Sequence, residues 1–99
     1  MRKITSQATE AFFNATPFRK GNMSVVIEQD QTVLKLHGNS IAKITAEGTF
    51  ISNAGWATVT TKERLNGVLR SVGEGGIYQS NFVWSRAGVE FPHNEWVKI

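Results

Sequence analysis

Between Met23 and Ser52 the chain reads as four short alternating segments, joined by turns too brief for anything but direct reversal. Met23, Val25 and Ile27 alternate with Ser24, Val26 and Glu28, and Leu34 and Leu36 flank Lys35. Ala42 and Ile44 oppose Lys43 and Thr45 within Ile41 to Ala46, and Thr49 to Ser52 completes the set. A period of two puts one class of side chain on each face of a sheet. The links are Gln29-Asp30-Gln31, His37-Gly38-Asn39 and Glu47-Gly48, rich in residues that turn the chain or tolerate positive φ. A parallel crossover needs about a dozen residues or more, so these strands are expected to be sequential antiparallel neighbours.

The stretch Ser52 to Leu65 leaves that meander for a helix. Thr60 and Glu63 have capping-box spacing, Trp56 is expected to be buried at the junction, and the helix is placed from Thr61 to about Val72. Leu65, Val68, Leu69 and Val72 form its apolar stripe, Gly67 weakens its middle by about 1 kcal/mol, and Gly73 ends it. An earlier helix is expected from about Thr5 to Asn14. Thr5 or Ser6 caps it, Ala8, Ala11 and Phe12 face inward, and Pro17 stops it. Phe13 and Phe18 are expected to pack where this helix meets the sheet, and Arg19 to Asn22 reads as a loop. Ile77 to Arg86 alternates as one strand with Tyr78, Phe82 and Trp84 on one face. Val89 to Phe91 returns, and Glu95 to Ile99 is a candidate edge strand. The expected fold is a single α+β domain over residues 1–99. Its small antiparallel sheet is a four-strand meander plus two or three C-terminal strands, with both helices on one face.

Composition excludes several functions. There is no cysteine, which removes disulfides, thiolate metal sites and cysteine nucleophiles. No apolar run approaches the ~20 residues that span a bilayer, and no apolar core follows Arg2 and Lys3, so neither a membrane partner nor a secretion signal is expected. The formal charge of +3 permits nucleic-acid binding without requiring it. His37 and His93 both fall in turns away from any acidic cluster, no serine sits in a Gly-x-Ser-x-Gly elbow, and Gly73 to Gly76 follows its helix instead of preceding it. The chain is therefore read as a non-enzyme with no cofactor and no metal.

Two binding surfaces remain. Three tryptophans, one tyrosine and six phenylalanines are many for a small interior. A protein partner is expected at Phe91, Trp96, Trp84 and Arg86, near a terminal edge strand open to pairing or to homodimer formation. The alternative is a nucleic-acid module. Lys62, Asn66 and Arg70 lie four apart on the helix over residues 61–72, Arg64 adds charge, and Tyr78 belongs to an aromatic strand over 78–84.

Leu36-His37-Gly38-Asn39-Ser40-Ile41-Ala42-Lys43, followed by Ala54-Gly55-Trp56-Ala57-Thr58-Val59-Thr60-Thr61-Lys62-Glu63-Arg64-Leu65-Asn66, resembles a pattern in small proteins of tailed bacteriophages, with a weaker echo at Gly21-Asn22. The resemblance covers about the middle third of the chain and brings no activity with it. It implies an accessory protein in the host bacterial cytoplasm that binds a host or phage component, as an inhibitor or modulator. The polar positions of the pattern, His37, Asn39, Thr58, Lys62, Arg64 and Asn66, are where a binding surface is sought.

Overall fold

The computed structural model describes residues 2–99. The chain runs α1 (Lys3–Phe13), β1 (Phe18–Lys20), β2 (Met23–Glu28), β3 (Gln31–Leu36), β4 (Asn39–Thr45) and β5 (Gly48–Ile51). It continues through α2 (Val59–Ser71), β6 (Tyr78–Ser80), β7 (Val83–Arg86), β8 (Val89–Glu90) and β9 (Val97–Lys98). The class is α+β, as the sequence implies.

The meander forms as read, every pair antiparallel. Two strands extend it into a six-stranded sheet of order β1-β2-β3-β4-β5-β9. β9 is the anticipated edge strand. β1 falls partly in the segment read as a loop, where Arg19 pairs with Ser24 and Lys20 with Met23. Its turn needs Gly21: φ is +56°, and a Cβ there would stand 3.0 Å from Ile4 Cδ1 on α1. Between β3 and β4 the register shifts, because Leu34 pairs with Ala42 but Lys35 pairs with Ser40. Ile41 is the extra residue of this bulge, and it is buried together with Ala42.

One face of the sheet, carrying Met23, Val25, Leu34, Leu36, Ala42 and Ile51, shares a core with Ala8, Ala11 and Phe12 of α1 and Leu65, Val68 and Leu69 of α2. Phe13 and Phe18 pack against its margin. α2 ends as expected, in a Schellman arrangement. Gly73 N–H donates to Arg70 O, Glu74 N–H donates to Leu69 O, and Gly73 takes φ +74°.

Five local expectations are corrected. α2 starts two residues early, at Val59, and its cap is Thr58, whose hydroxyl accepts from Thr61 N–H at 3.1 Å. The Thr60–Glu63 capping box does not form, because Glu63 is engaged by Thr5 and Arg64. Trp56 is 57% exposed instead of filling the junction. α1 starts at Lys3 with no side-chain cap, and Thr5 lies buried inside it. Finally, Ile77 to Arg86 is not one strand. It breaks at Asn81-Phe82 into β6 and β7, which with β8 make a separate three-stranded sheet.

Candidate functional site

The two halves of the phage-like pattern meet where the β3–β4 turn approaches the start of α2. Ser52 N–H first closes onto Ile41 O at 2.8 Å. The chain then wraps around Asn53, which is 2% exposed. Its Oδ1 accepts from Gly55 N–H at 2.9 Å and from Asn94 N–H at 2.8 Å, and its Nδ2 donates to His93 Nδ1 at 3.2 Å. One amide therefore fixes the turn before α2 and ties it to the C-terminal segment. Asn53 is a structural residue that its sequence context only partly announces. An Asn two residues before glycine is the local signal, whereas its contact with residues 93 and 94 is tertiary.

A cavity of about 350 Å³ opens beside this turn. Leu36 and Ile41 are its buried apolar floor and Trp56 a wall, with His37, Asn39 and Thr60 around them. Asn39, His37 and Thr58, all named from the pattern, do converge here. Lys62, Arg64 and Asn66 do not line it.

Arg64 faces inward. It is 2% exposed, and its Nη1 donates to Thr5 Oγ1 at 2.9 Å and to the Glu63 carboxylate. Its Nη2 donates to Asn22 Oδ1 at 3.3 Å, and its Nε is buried without a partner among the described residues. The Thr5 hydroxyl donates to Glu63 Oε1 at 2.5 Å. Burial raises the Glu63 pKa, but the Thr5 hydroxyl, the Arg64 guanidinium and the Arg2 amide outweigh it and hold the group below the ordinary glutamate value. Asn22 also accepts from His37 N–H through its backbone at 2.8 Å, which links this cluster to the cavity rim. Arg64 is thus a structural cation and cannot reach a phosphate. Asn66 is occupied too: its Oδ1 accepts from Ile77 N–H at 2.6 Å and its Nδ2 donates to Ile77 O at 3.1 Å. Of the basic helix row, Lys62 and Arg70 remain available.

The aromatic candidates divide differently from expectation. Trp84 and Phe91 are each 6% exposed, with ring centroids 6.0 Å apart, and they join the core with Ile77. They anchor the small sheet and present no surface to a partner. Arg86 is held by Glu74 at 2.7 Å and Gly75 O at 3.1 Å. Trp96 is 40% exposed, and Lys43 Nζ lies 4.4 Å from its ring centroid. Tyr78 is 50% exposed, Val83 is exposed beside it, and Phe82 is 94% exposed. Phe82 sits at the tip of the two-residue β6–β7 turn with φ +65°, after Asn81 at +50°. This turn geometry favours Asn followed by Gly, and a bulky side chain at positive φ is strained. Asn81 was the only sequence signal for this turn, hidden inside an alternating run.

The helix-free face of the main sheet carries a second cluster. Val33, Lys43, Phe50 and Lys98 lie in register across β3, β4, β5 and β9. Lys43 Nζ is 5.5 Å from the Phe50 centroid, and Lys35 flanks the row, paired at 3.4 Å with Glu28. Among the described residues no group of three or more His, Asp or Glu side chains is placed to hold a metal ion. No helix among them is long and apolar enough to cross a membrane.

The family model of the Kyanoviridae Gp96 protein matches residues 1–98. No curated protein and no solved structure matches the chain. The family match takes in the cavity, the Arg64 cluster and the C-terminal hairpin sheet, well past Asn66 where the sequence resemblance ended. The chain therefore belongs to the Kyanoviridae Gp96 protein family, a family of phage proteins.

Proposed function

We propose that this phage-family protein acts by binding a host or phage protein, without catalysing a reaction, in the cytoplasm of the infected bacterium, and that the tip of the β6–β7 hairpin is the contact. One observation carries the reading: a phenylalanine 94% exposed, held at positive φ where glycine would sit without strain. Folding gains nothing from that ring. Large aromatics with few internal degrees of freedom dominate protein interfaces, and Tyr78 and Val83 widen the patch. Trp84 and Phe91 contribute by fixing the hairpin from its other side, and Trp96 contributes at most a half-exposed edge. The test is a tagged pull-down from infected-cell lysate, with and without nuclease, comparing the native chain with Phe82→Ser. The expected result is a nuclease-resistant protein retained by the native chain and lost with Phe82→Ser, at unchanged circular dichroism. Retention of the same protein by the variant would overturn the hairpin assignment.

The row Val33–Lys43–Phe50–Lys98 favours a second reading, nucleic-acid binding on the open sheet face in place of the α2 row. Capture that disappears with nuclease, and oligonucleotide affinity that falls steeply with salt and with Lys43→Glu, would select it.

A further inference from the structure

We infer that the cavity between the β3–β4 turn and the start of α2 is a binding site for an unpaired nucleobase, supplied as a free nucleoside or as the exposed base of a single strand. At about 350 Å³ it lies at the small end of the ~300–1,000 Å³ range of small-molecule sites, the size for one or two rings. Its floor is apolar, from Leu36 and Ile41, and the Trp56 indole stands at the wall as a surface on which a flat ring can stack. The hydrogen-bonding groups around that floor are unspent. The side chains of His37, Asn39 and Thr60 have no hydrogen-bond partner among the described residues, and Asn39 offers a donor and an acceptor from one amide. That donor–acceptor pair matches the edge of a base.

The neighbouring polar groups are already committed and hold the walls still. Asn53 is fixed by its three bonds, and the Thr58 and Thr61 hydroxyls lie 3.0 Å apart. A preformed wall lowers the ordering cost of binding. No Lys, Arg, Asp or Glu lines the cavity, so its direct contacts suit an uncharged group. A monosaccharide presents hydroxyls around its whole rim and would leave several of them against Leu36 and Ile41 unpaired. A heteroaromatic ring presents two apolar faces and a polar edge, which is the distribution this lining offers.

The site is tested by titrating the intact chain with adenosine, guanosine, cytidine and uridine, with glucose as the sugar control, following tryptophan fluorescence and amide NMR shifts. The expected result is saturable binding of at least one nucleoside, with shifts confined to residues 36–41 and 53–61. Trp56→Ala and Thr60→Val are expected to weaken it about tenfold each while the remaining NMR spectrum stays native. A second arm uses short single-stranded homo-oligonucleotides. Binding that exceeds the nucleoside and is salt-dependent identifies a strand as the source, and equal or weaker binding identifies the free nucleoside. No saturable shift at millimolar nucleoside, equal affinity in both variants, or preference for glucose would each overturn the assignment. Phe82→Ser leaves nucleoside binding unchanged, so failure here and failure of the hairpin contact are separate results.

Discussion

Residues 52–64 and residues 77–91 both leave the main sheet, yet they are held in different ways. The first region is knit by polar groups: Asn53, Thr61 and Arg64 are buried and bonded within the fold, all but Arg64 Nε, and Thr58 caps α2 from the surface. The second is held mainly by three apolar anchors, Ile77, Trp84 and Phe91, supported by Asn66 and Arg86, while Tyr78, Phe82, Val83 and Val89 stay exposed. Polar residues inside and apolar residues outside invert the usual partition, and the two inversions have different meanings. Buried polar groups whose hydrogen bonds are made are structural. Exposed apolar groups that the fold does not use are left for something outside it.

The largest effect that would test this contrast is at Arg64. Removing it leaves Glu63, Thr5 and Asn22 without their shared donor. Arg64→Ala is expected to cost about 3 kcal/mol, the low end for a broken buried ion pair because Glu63 keeps contact with water. For a chain this size that lowers Tm by on the order of 10–20 °C. Arg70→Ala, two turns on and exposed, should shift it within about 0.5 kcal/mol. Equal effects in thermal melts would break the assignment of Arg64 as a structural cation.

The next effect is smaller and separates two threonines. Thr58→Ala removes the hydroxyl that accepts from Thr61 N–H and is expected to cost about 1 kcal/mol. Thr60→Ala should cost much less, since its hydroxyl has no partner among the described residues. Denaturant midpoints measure both, and the reverse order would restore the capping box at Thr60.

These positions also show what a linear sequence can reveal. The meander was legible because period two and short turns are local facts, and the α2 stripe and Gly73 were legible for the same reason. The choice between Thr58 and Thr60 was not. Glu63 would complete a box with Thr60, but Thr5 and Arg64 claim its carboxylate, and Thr5 is 58 residues away. Arg64 passes in the sequence for a nucleic-acid contact, because helical spacing cannot reveal that α1 covers that side of α2. Residue type alone suggests that Trp56 is core, and its exposure is a tertiary fact. Tyr78, Phe82 and Trp84 keep a period of two across a turn, so periodicity conceals the reversal at Asn81-Phe82. Of the cavity, His37, Asn39 and Thr58 were foreseen as leftover polar residues, but their meeting depends on the meander folding the two halves of the pattern together.

The charge state of Glu63 sharpens the comparison further. Its pKa is lowered in the folded chain, so its stabilising contribution is complete above the ordinary glutamate value. That contribution is lost as pH falls through the ordinary value toward the lowered one. Melts across this acid range should show a steeper stability loss in the native chain than in Glu63→Gln. Identical slopes would mean that the carboxylate is held no better folded than unfolded.

The smallest expected change in stability is at the hairpin tip, and it discriminates most sharply. Phe82→Gly relieves a left-handed backbone conformation that costs an L-residue roughly 1–2 kcal/mol, offset by the greater freedom of glycine in the unfolded chain. The net change should therefore be near zero, or a gain of up to about 1 kcal/mol, and Tm should hold or rise slightly. If Phe82 is kept for an outside contact, the same substitution must abolish capture of the partner while the fold is untouched or improved. A clear destabilisation would show that the ring packs within the molecule, and residues 77–91 would then join residues 52–64 as structure turned inward. Retained stability with lost capture would separate folding, anchored at Trp84 and Phe91, from function at the hairpin tip.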